Sequence, residues 1–163
     1  MFFNLKWLPA MVVISGLVTG SACTPKQTAV DDPKHRLNEY ISQSFAIKSP
    51  QDRGILAGYL TGDAKARIQS WSDEQFRQAF MDSKRQFLKL AFKEEKTVSA
   101  NEVGVTYELS YQSAYSDAQG KNHDAKITNK KLAQMVRENG KWFISDVRNI
   151  KELVEYKNEM SLP

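Results

Sequence analysis

A single carboxylate stands where the surrounding pattern calls for apolar side chains. Asp146 follows Trp142 and Ile144 at every second position of a segment that alternates like a β-strand, so the three side chains are expected on the same face. A carboxylate in a dry pocket can act as a general acid or base, because burial and neighbouring charges shift its pKa. Asp146 falls near the predicted strand end, close to solvent, so we favour a structural hydrogen bond or ion pair.

Two tyrosines also stand on an otherwise apolar strand face. Tyr107 and Tyr111 alternate in phase with Val103, Val105 and Leu109. The pattern predicts either the aromatic part of a core or the wall of a pocket. If a pocket is present, the sequence predicts that it is lined by Tyr107, Tyr111, Trp142 and Asp146.

Three lysines follow one another closely in the second half of the chain. Lys126 and Lys130 share a predicted strand face, and Lys131 lies on the other. The simpler interpretation is a solvated face that protects the sheet against edge pairing. The functional alternative is contact with an anionic surface such as lipid headgroups.

Several classes of chemistry lack their sequence signals. The two histidines, His35 and His123, are isolated and have no carboxylate at ligand spacing, so we expect no metal site. The sequence contains neither a glycine-rich phosphate loop nor a nucleophile elbow, and we expect no cofactor. The formal net charge of +4 is mild and spread along the chain, and predicts no nucleic-acid partner.

Helical signals occupy the first half of the domain. Asp32-Pro33 is an N-cap pair that predicts a helix over 33–47. Ser49-Pro50 predicts a second helix, which Gly62-Asp63 interrupts. Ser72-Asp73-Glu74-Gln75 is a capping box that opens a third. The apolar stripes expected to face the core are Leu37, Tyr40, Ile41 and Phe45, then Ile55, Leu56, Tyr59 and Leu60, then Phe76 and Phe80.

After residue 85 the spacing of apolar residues changes from the helical spacing of three to four residues to every second residue. Alternation around 88–92 and 103–111 predicts two strands, and 124–138 a third. Asn139-Gly140 is a strong hairpin signal leading into a fourth strand over 142–147. Ile150, Leu153 and Val154 favour a short terminal helix, although a continued strand also fits. The fold class is therefore α+β, with N-terminal helices packed on a curved antiparallel sheet of about four strands.

The first 22 residues have the order of an export signal. Lys6 is followed by a short apolar stretch over 7–18 and then by small residues. Gly20-Ser21-Ala22-Cys23 resembles the lipobox of bacterial lipoproteins, in which the cysteine receives the lipid. The resemblance implies a signal peptide at 1–22, lipidation of Cys23, a tether over 23–32 and one domain over 33–163. An ordinary signal peptidase site, which would leave a free thiol, and an uncleaved anchor remain alternatives.

In that family the residue after the cysteine directs sorting between membranes. An Asp there favours retention in the inner membrane, and this chain has Thr24 instead. The resemblance therefore implies a protein anchored through Cys23, facing the periplasm, at the outer membrane. Two or three acyl chains make a stable anchor where one is marginal.

The order of helices followed by long antiparallel strands also resembles a known superfamily. With the closing segment Gly140-Lys141-Trp142-Phe143-Ile144, it resembles nuclear-transport-factor-2-like (SnoaL-like) domains. The resemblance implies a cone with a pocket between helices and sheet. Enzymes of that superfamily place an Asp, His or Tyr in the cone, and the positions of that kind here are Tyr107, Tyr111, Tyr115, His123, Asp124 and Asp146.

Fold resemblance does not give function, because this superfamily includes isomerases, dehydratases, ligand-binding domains and assembly modules. Our leading expectation is a non-enzymatic binding or assembly module, whose partner would be an envelope protein or a small apolar ligand. One alternative is a small pocket enzyme of the isomerase or dehydratase type. Another is a structural envelope lipoprotein that associates with itself through an exposed sheet face.

Overall fold

The computed structural model describes residues 32–116 and 122–156, and the side chains of 115, 116, 122 and 123 are not described. The predicted signal peptide 1–22, Cys23 and the tether up to residue 31 lie outside the described residues. Within them the fold is α+β, with helices first and an antiparallel sheet second. The helices are α1 (Pro33–Ala46), α2 (Arg53–Ala57), α3 (Gly62–Ser70) and α4 (Asp73–Phe80). The strands are β1 (Gln86–Ser99), β2 (Glu102–Ser116), β3 (Asn122–Glu138) and β4 (Lys141–Tyr156).

Helix α1 begins and ends close to where the sequence predicts. The Asp32 carboxylate accepts a hydrogen bond from the Lys34 backbone N–H at 3.0 Å, and Pro33 occupies the first turn. Leu37 and Ile41 are buried one turn apart, as the predicted stripe requires. The prediction of a helix over 33–47 is therefore confirmed.

The second predicted helix is broken into shorter pieces. Pro50–Asp52 forms a 3-10 turn, α2 follows it directly, and α3 begins at Gly62 with a positive φ of 51°. Leu56 is fully buried, but Ile55 is 49% exposed, so the predicted stripe was wrong at that position. A five-residue helix presents only one narrow stripe to the core, and Ile55 lies outside it.

Helix α4 carries the predicted capping box. The Ser72 hydroxyl accepts from the Gln75 backbone N–H at 3.1 Å, and the Gln75 side chain accepts from the Ser72 N–H at 2.8 Å. Phe76 is fully buried and Phe80 packs beside it, with 4.9 Å between ring centroids. The helix thus brings two aromatic rings to the core and ends just before β1.

The four strands form an antiparallel meander in the order β1-β2-β3-β4. The turn between β3 and β4 is the predicted Asn139-Gly140, with φ of 51° and 78°. Strand β4 continues to Tyr156, so the predicted short helix around Ile150 and Leu153 was wrong. Strand β3 pairs with β4 from Ala125 to Glu138, with Thr128 opposite Leu153 for example, and this pairing overrides a weak helical pattern.

The two faces of the sheet differ in chemistry. Odd-numbered residues of β2 face the helices, and Val105 and Tyr107 are almost fully buried there. Even-numbered residues form the outer face, where the Ser110 hydroxyl bonds that of Thr128 at 3.0 Å and Lys93 pairs with Glu108 at 2.7 Å. The core lies between the inner face and the helices. Its largest fully buried side chains are Phe76, Leu37, Leu56, Met135, Ile144 and Val105.

The segment between α2 and α3 joins the helical layer to the sheet. The Thr61 backbone N–H donates to the Ile144 carbonyl at 2.9 Å, and the Ile144 N–H donates to the Tyr59 carbonyl at 3.0 Å. Leu60 and Ile144 thereby form a parallel bridge on β4. This bridge covers the start of an edge strand whose backbone groups would otherwise face solvent.

Candidate functional site

A cleft of about 390 Å³ lies between the helices and the inner face of the sheet and opens to solvent. A smaller cavity of about 110 Å³ adjoins it and shares Tyr40, Trp71, Phe80 and Val147 with it. We call these two adjoining cavities the helix–sheet cleft. Its larger part is lined by Tyr40, Ile41, Ser44, Trp71, Ala79, Phe80, Arg85, Tyr107, Leu109, Lys131, Val147 and Asn149.

The strand register places Lys131 on the face of the sheet that lines the cleft. It is paired with Tyr107 on one side and with Asn149 on the other, and paired residues of antiparallel strands share a face. Burial lowers the pKa of Lys131, since desolvation disfavours the ammonium. The negative charge of Glu152 opposes this shift, and the positive charge of Arg85 adds to it.

Arg85 enters the same cleft from the turn between α4 and β1. Its guanidinium donates to the backbone carbonyls of Ser44 at 3.1 Å and Phe80 at 3.2 Å. The same group lies over the rings of Phe45 at 5.0 Å and Phe80 at 5.3 Å. Backbone carbonyls and ring faces therefore hold the side chain in place, but neither group neutralises its charge.

Neither cation has an anionic partner in the described part of the chain. Across 32–116 and 122–156, no carboxylate lies within ion-pair distance of Arg85 or Lys131. The Nε atom of Arg85 is buried and has no hydrogen-bond partner among the described residues. A partly desolvated cation without a partner is costly, so proteins seldom keep two together without use.

The remaining walls of the cleft are aromatic and weakly polar. Burial raises the pKa of Tyr107, and the neighbouring Tyr40 raises it further. Burial also raises the pKa of Tyr40. The indole of Trp71 stands against Phe80, with 6.1 Å between ring centroids. The two tyrosines therefore stay neutral around pH 7 and act as wall and hydrogen-bonding groups.

The four residues predicted to line a pocket separate in space. Tyr107 lies in the wall of the cleft. Tyr111 lies beside the cleft, and the Arg85 guanidinium stands over its ring, with 6.0 Å between the guanidinium carbon and the ring centroid. Trp142 is buried at the other end of the sheet, beside a separate depression of about 180 Å³ that includes His35. Asp146 lines neither cavity.

Asp146 is engaged in ion pairs. Its carboxylate accepts from Arg148 at 2.7 Å and from Arg67 at 3.2 Å. The hydrogen bond from Arg148 is the largest cause that lowers the Asp146 pKa, and Arg67 adds to it. The side chain therefore joins α3 to β4 as a carboxylate, and it does not have the raised pKa of a general acid.

The three lysines predicted as one anionic-surface contact also separate. Lys126 is exposed and pairs with Glu155 at 2.7 Å, and Lys130 stands opposite Glu108 on the outer face. Lys131 points the other way, into the cleft. Pleating alone sends residues 130 and 131 to opposite faces, and the helices turn one of those faces into an interior.

Sequence reasoning missed Arg85, Tyr40, Trp71 and Asn149 as members of the site. Arg85 directly precedes the period-two pattern of β1, and no spacing marked it out. Tyr40 was expected in the core stripe of α1. It packs against the core on one side and lines the cleft on the other. Only the approach of two distant segments brings these residues together.

The described residues contain neither a cluster of metal ligands nor a helix that could span a membrane. Within 32–116 and 122–156, no three His, Cys, Asp or Glu side chains are grouped so as to hold a metal ion. His35 pairs with Glu39 at 3.3 Å, and the side chains of His123 and Tyr115 lie outside the described set. Over those same ranges, every helix is too short or too polar to cross a bilayer.

Comparison with known proteins identifies structural relatives only. No family model matches the sequence, and no curated protein matches it. The intermembrane space region of the chloroplast protein ARC6 is similar over 72% of this chain and 95% of its own, with a TM-score of 0.56 and 14% identity. A SEC-C motif containing protein from Rhodopseudomonas palustris is similar over 76% and 81%, with a TM-score of 0.51 and 13% identity. At these identities the similarity extends to the fold alone.

Proposed function

We propose that this protein is a lipid-anchored, non-enzymatic binding module of the bacterial cell envelope. The observation that carries the binding role is the helix–sheet cleft of about 390 Å³, in which aromatic and aliphatic walls stand beside polar groups that include Arg85 and Lys131. Small-molecule pockets have roughly this size, on the order of 300–1,000 Å³, and this mixture of apolar walls with a few polar anchors. The anchor is lipidated Cys23, which holds the domain at the periplasmic side of the outer membrane.

We further propose that the domain has the cone shape of nuclear-transport-factor-2-like proteins. Register shifts in β1 near Phe87 and Phe92, and in β4 at Ser145 and Ile150, support a sheet that curves around the helices. The order of elements and the Gly140-Lys141-Trp142 segment support the same proposal. In such a cone the helix–sheet cleft is the interior.

The pocket-enzyme alternative has weaker support. A general base must face the cleft with a pKa near the working pH. Asp146 is ion-paired outside the cleft, and burial moves the pKa of Tyr107 away from neutrality. Among the residues that the structure describes, Lys131 is the candidate base whose lowered pKa and position in the cleft favour this alternative.

The alternative of self-association, or of assembly with an envelope protein, draws on the exposed end of the sheet. Phe87 and Leu88 on β1, and Ile150, Leu153 and Val154 on β4, are between 36% and 54% exposed. Apolar side chains of this size at a sheet end are typical of contact surfaces. Sedimentation of the full chain at several concentrations distinguishes this role from that of a monomeric binder.

The binding role is tested by titrating the full chain with 2-naphthamide, a neutral ligand with a fused aromatic ring. Calorimetry in a neutral maltoside detergent, with detergent-only blanks, measures its affinity. We expect saturable binding that weakens about tenfold in Trp71→Ala and is unchanged in Phe143→Ala, an aromatic variant away from the cleft. Absence of saturable binding would overturn the proposal.

The anchor is tested separately by the intact mass of the protein from its native membrane, compared with Cys23→Ala. Cleavage before Cys23 together with diacylglyceryl and acyl groups, both absent from the variant, is the expected result. An unmodified chain that begins at Cys23 would overturn the lipid anchor but not the binding role of the cleft.

A further inference from the structure

We propose that the helix–sheet cleft selects organic anions with an apolar body, and that Lys131 and Arg85 bind the anionic group. This inference rests on the proposed binding role and specifies the chemistry of its ligand. The class is that of monocarboxylates with an aromatic or aliphatic body. Nothing in the sequence pattern alone singles out this pair of cations as a site.

The charge of the cleft is the first argument. Two cations line one cavity, and among the described residues no carboxylate is within ion-pair distance of either. A bound carboxylate recovers part of the free energy that their desolvation costs. Hydrogen bonds that involve charged groups are stronger in a partly dry site than on an open surface.

The geometry of Arg85 is the second argument. Nη2 donates to both the Ser44 and the Phe80 carbonyl and so fixes the guanidinium, whereas Nε is buried and Nη1 makes no hydrogen bond to the described residues. A planar group held on one side retains N–H donors for a ligand. The N–H groups of Nη1 therefore remain to donate charge-assisted hydrogen bonds to a carboxylate.

The other charged groups near the cleft do not remove this preference. Glu152 stands on β4 opposite Asn129, is exposed, and raises the pKa of Lys131 by its charge. Arg67 lines the smaller cavity, and the Asp146 carboxylate pairs with it at 3.2 Å. The balance at the cleft is therefore positive, with one exposed carboxylate at its margin.

The walls select against small inorganic anions. Tyr40, Trp71, Phe80, Leu109 and Val147 present rings and aliphatic groups to the same space. An anion without an apolar body leaves these walls in contact with water. An organic acid buries them and gains free energy in proportion to the apolar area removed from solvent.

The test compares 2-naphthoate with 2-naphthamide, which share a ring system and differ in charge. Calorimetry on the full chain in neutral maltoside detergent gives both affinities, and inorganic phosphate is titrated as the anion without an apolar body. We expect naphthoate to bind at least about tenfold more tightly than naphthamide, from one to two charge-assisted hydrogen bonds. We expect phosphate to bind far more weakly than either.

Three variants assign the effect to the cations. Lys131→Met should weaken naphthoate about tenfold and leave naphthamide within about twofold, and Lys131→Arg should restore naphthoate binding. Arg85→Gln provides a second loss that does not depend on Lys131. Lys89→Met, an exposed lysine opposite Ser110 on the outer face, is the matched control and should change neither ligand.

The outcomes separate the two proposals. Equal affinity for both naphthyl ligands, or naphthoate binding that survives Lys131→Met and Arg85→Gln, overturns the anion selectivity and leaves the binding role intact. Phosphate binding as tight as that of naphthoate also overturns it, because the apolar body would then contribute nothing. Failure of both naphthyl ligands to bind overturns the binding role itself.

Discussion

Lys131 lies in the middle of a row of paired residues that runs across the sheet. Tyr107 and Asn149 flank it, and all three residues line the helix–sheet cleft. Binding sites often contain partly desolvated charges such as the Lys131 ammonium. These charges lower the stability of the ligand-free protein, because they have no partner until the ligand binds. The same residue on the outer face would be an ordinary solvated lysine.

Replacing Lys131 by Met should therefore stabilise the ligand-free protein, by roughly 0.5–2 kcal/mol, because it removes a partly desolvated charge and keeps the apolar stem. Urea unfolding of both proteins at pH 7 measures the difference in the free energy of unfolding. Lys89→Met on the outer face should change stability by less than about 0.5 kcal/mol. A destabilised Lys131→Met protein would show that the ammonium makes a favourable contact.

The same pair of proteins has a pH dependence of known sign. Burial lowers the folded-state pKa of Lys131 below the value of 10.5 that an unperturbed lysine has. The destabilising contribution is full below the folded pKa, shrinks as pH rises through it, and vanishes above the unfolded pKa. The stability gap between wild type and Lys131→Met should therefore close as pH approaches about 10.5. A gap that widens with pH would contradict this.

At the scale of the element, α2 shows how a short helix divides neighbouring residues. Leu56 is fully buried, and Ile55 beside it is 49% exposed. We expect Leu56→Ala to cost about 2–5 kcal/mol, since it leaves a cavity in the core. Ile55→Ala should cost about 1 kcal/mol or less, because half of the side chain is already in water. Denaturant titration of the two variants measures the difference between their free energies of unfolding. Equal losses would indicate that α2 is rotated about its axis and buries both side chains to a similar extent.

The β3–β4 hairpin depends on one glycine with a left-handed backbone. Gly140 has a φ of 78°, and a Cβ there would meet strain but no clash. Gly140→Ala should cost about 1–2 kcal/mol. Gly54 in α2 is the matched control, since nothing lies within 4 Å of an added Cβ. Gly54→Ala should stabilise by about 0.5–1 kcal/mol, and thermal unfolding reports both shifts with opposite signs.

At the scale of the whole molecule, the helices cover only part of the sheet. Along β4, Trp142 and Ile144 are buried, and from Arg148 onward the side chains are exposed. The bridge to Leu60 protects the covered part of this edge strand. Stability should therefore vary along a single strand.

Hydrogen exchange followed by mass spectrometry can measure that gradient. We expect backbone amides of 142–147 to exchange at least about tenfold more slowly than those of 150–156, since local opening costs less where few side chains are buried. The central strands β2 and β3 should be the slowest. Equal rates along β4 would indicate that a second molecule covers the exposed end.

The sequence by itself determined the helical and strand halves, the N-caps at Asp32 and Ser72, and the Asn139-Gly140 hairpin. These depend on neighbours within a few residues, where side-chain chemistry and backbone preference act directly. The break between α2 and α3 was predicted from Gly62-Asp63, but its position and the length of β4 were decided by the tertiary structure, because packing on the core and pairing with β3 outweigh local preference.

The cleft was likewise decided only by the tertiary structure. The whole of β1 and β2 and part of β3 separate Arg85 from Lys131 in the sequence, and no spacing rule joins them. Asp146, which the pattern singled out, is instead held by Arg67 from another element. A strand pattern tells which residues share a face, but the helices that pack on that face decide which of them become core, cleft or surface.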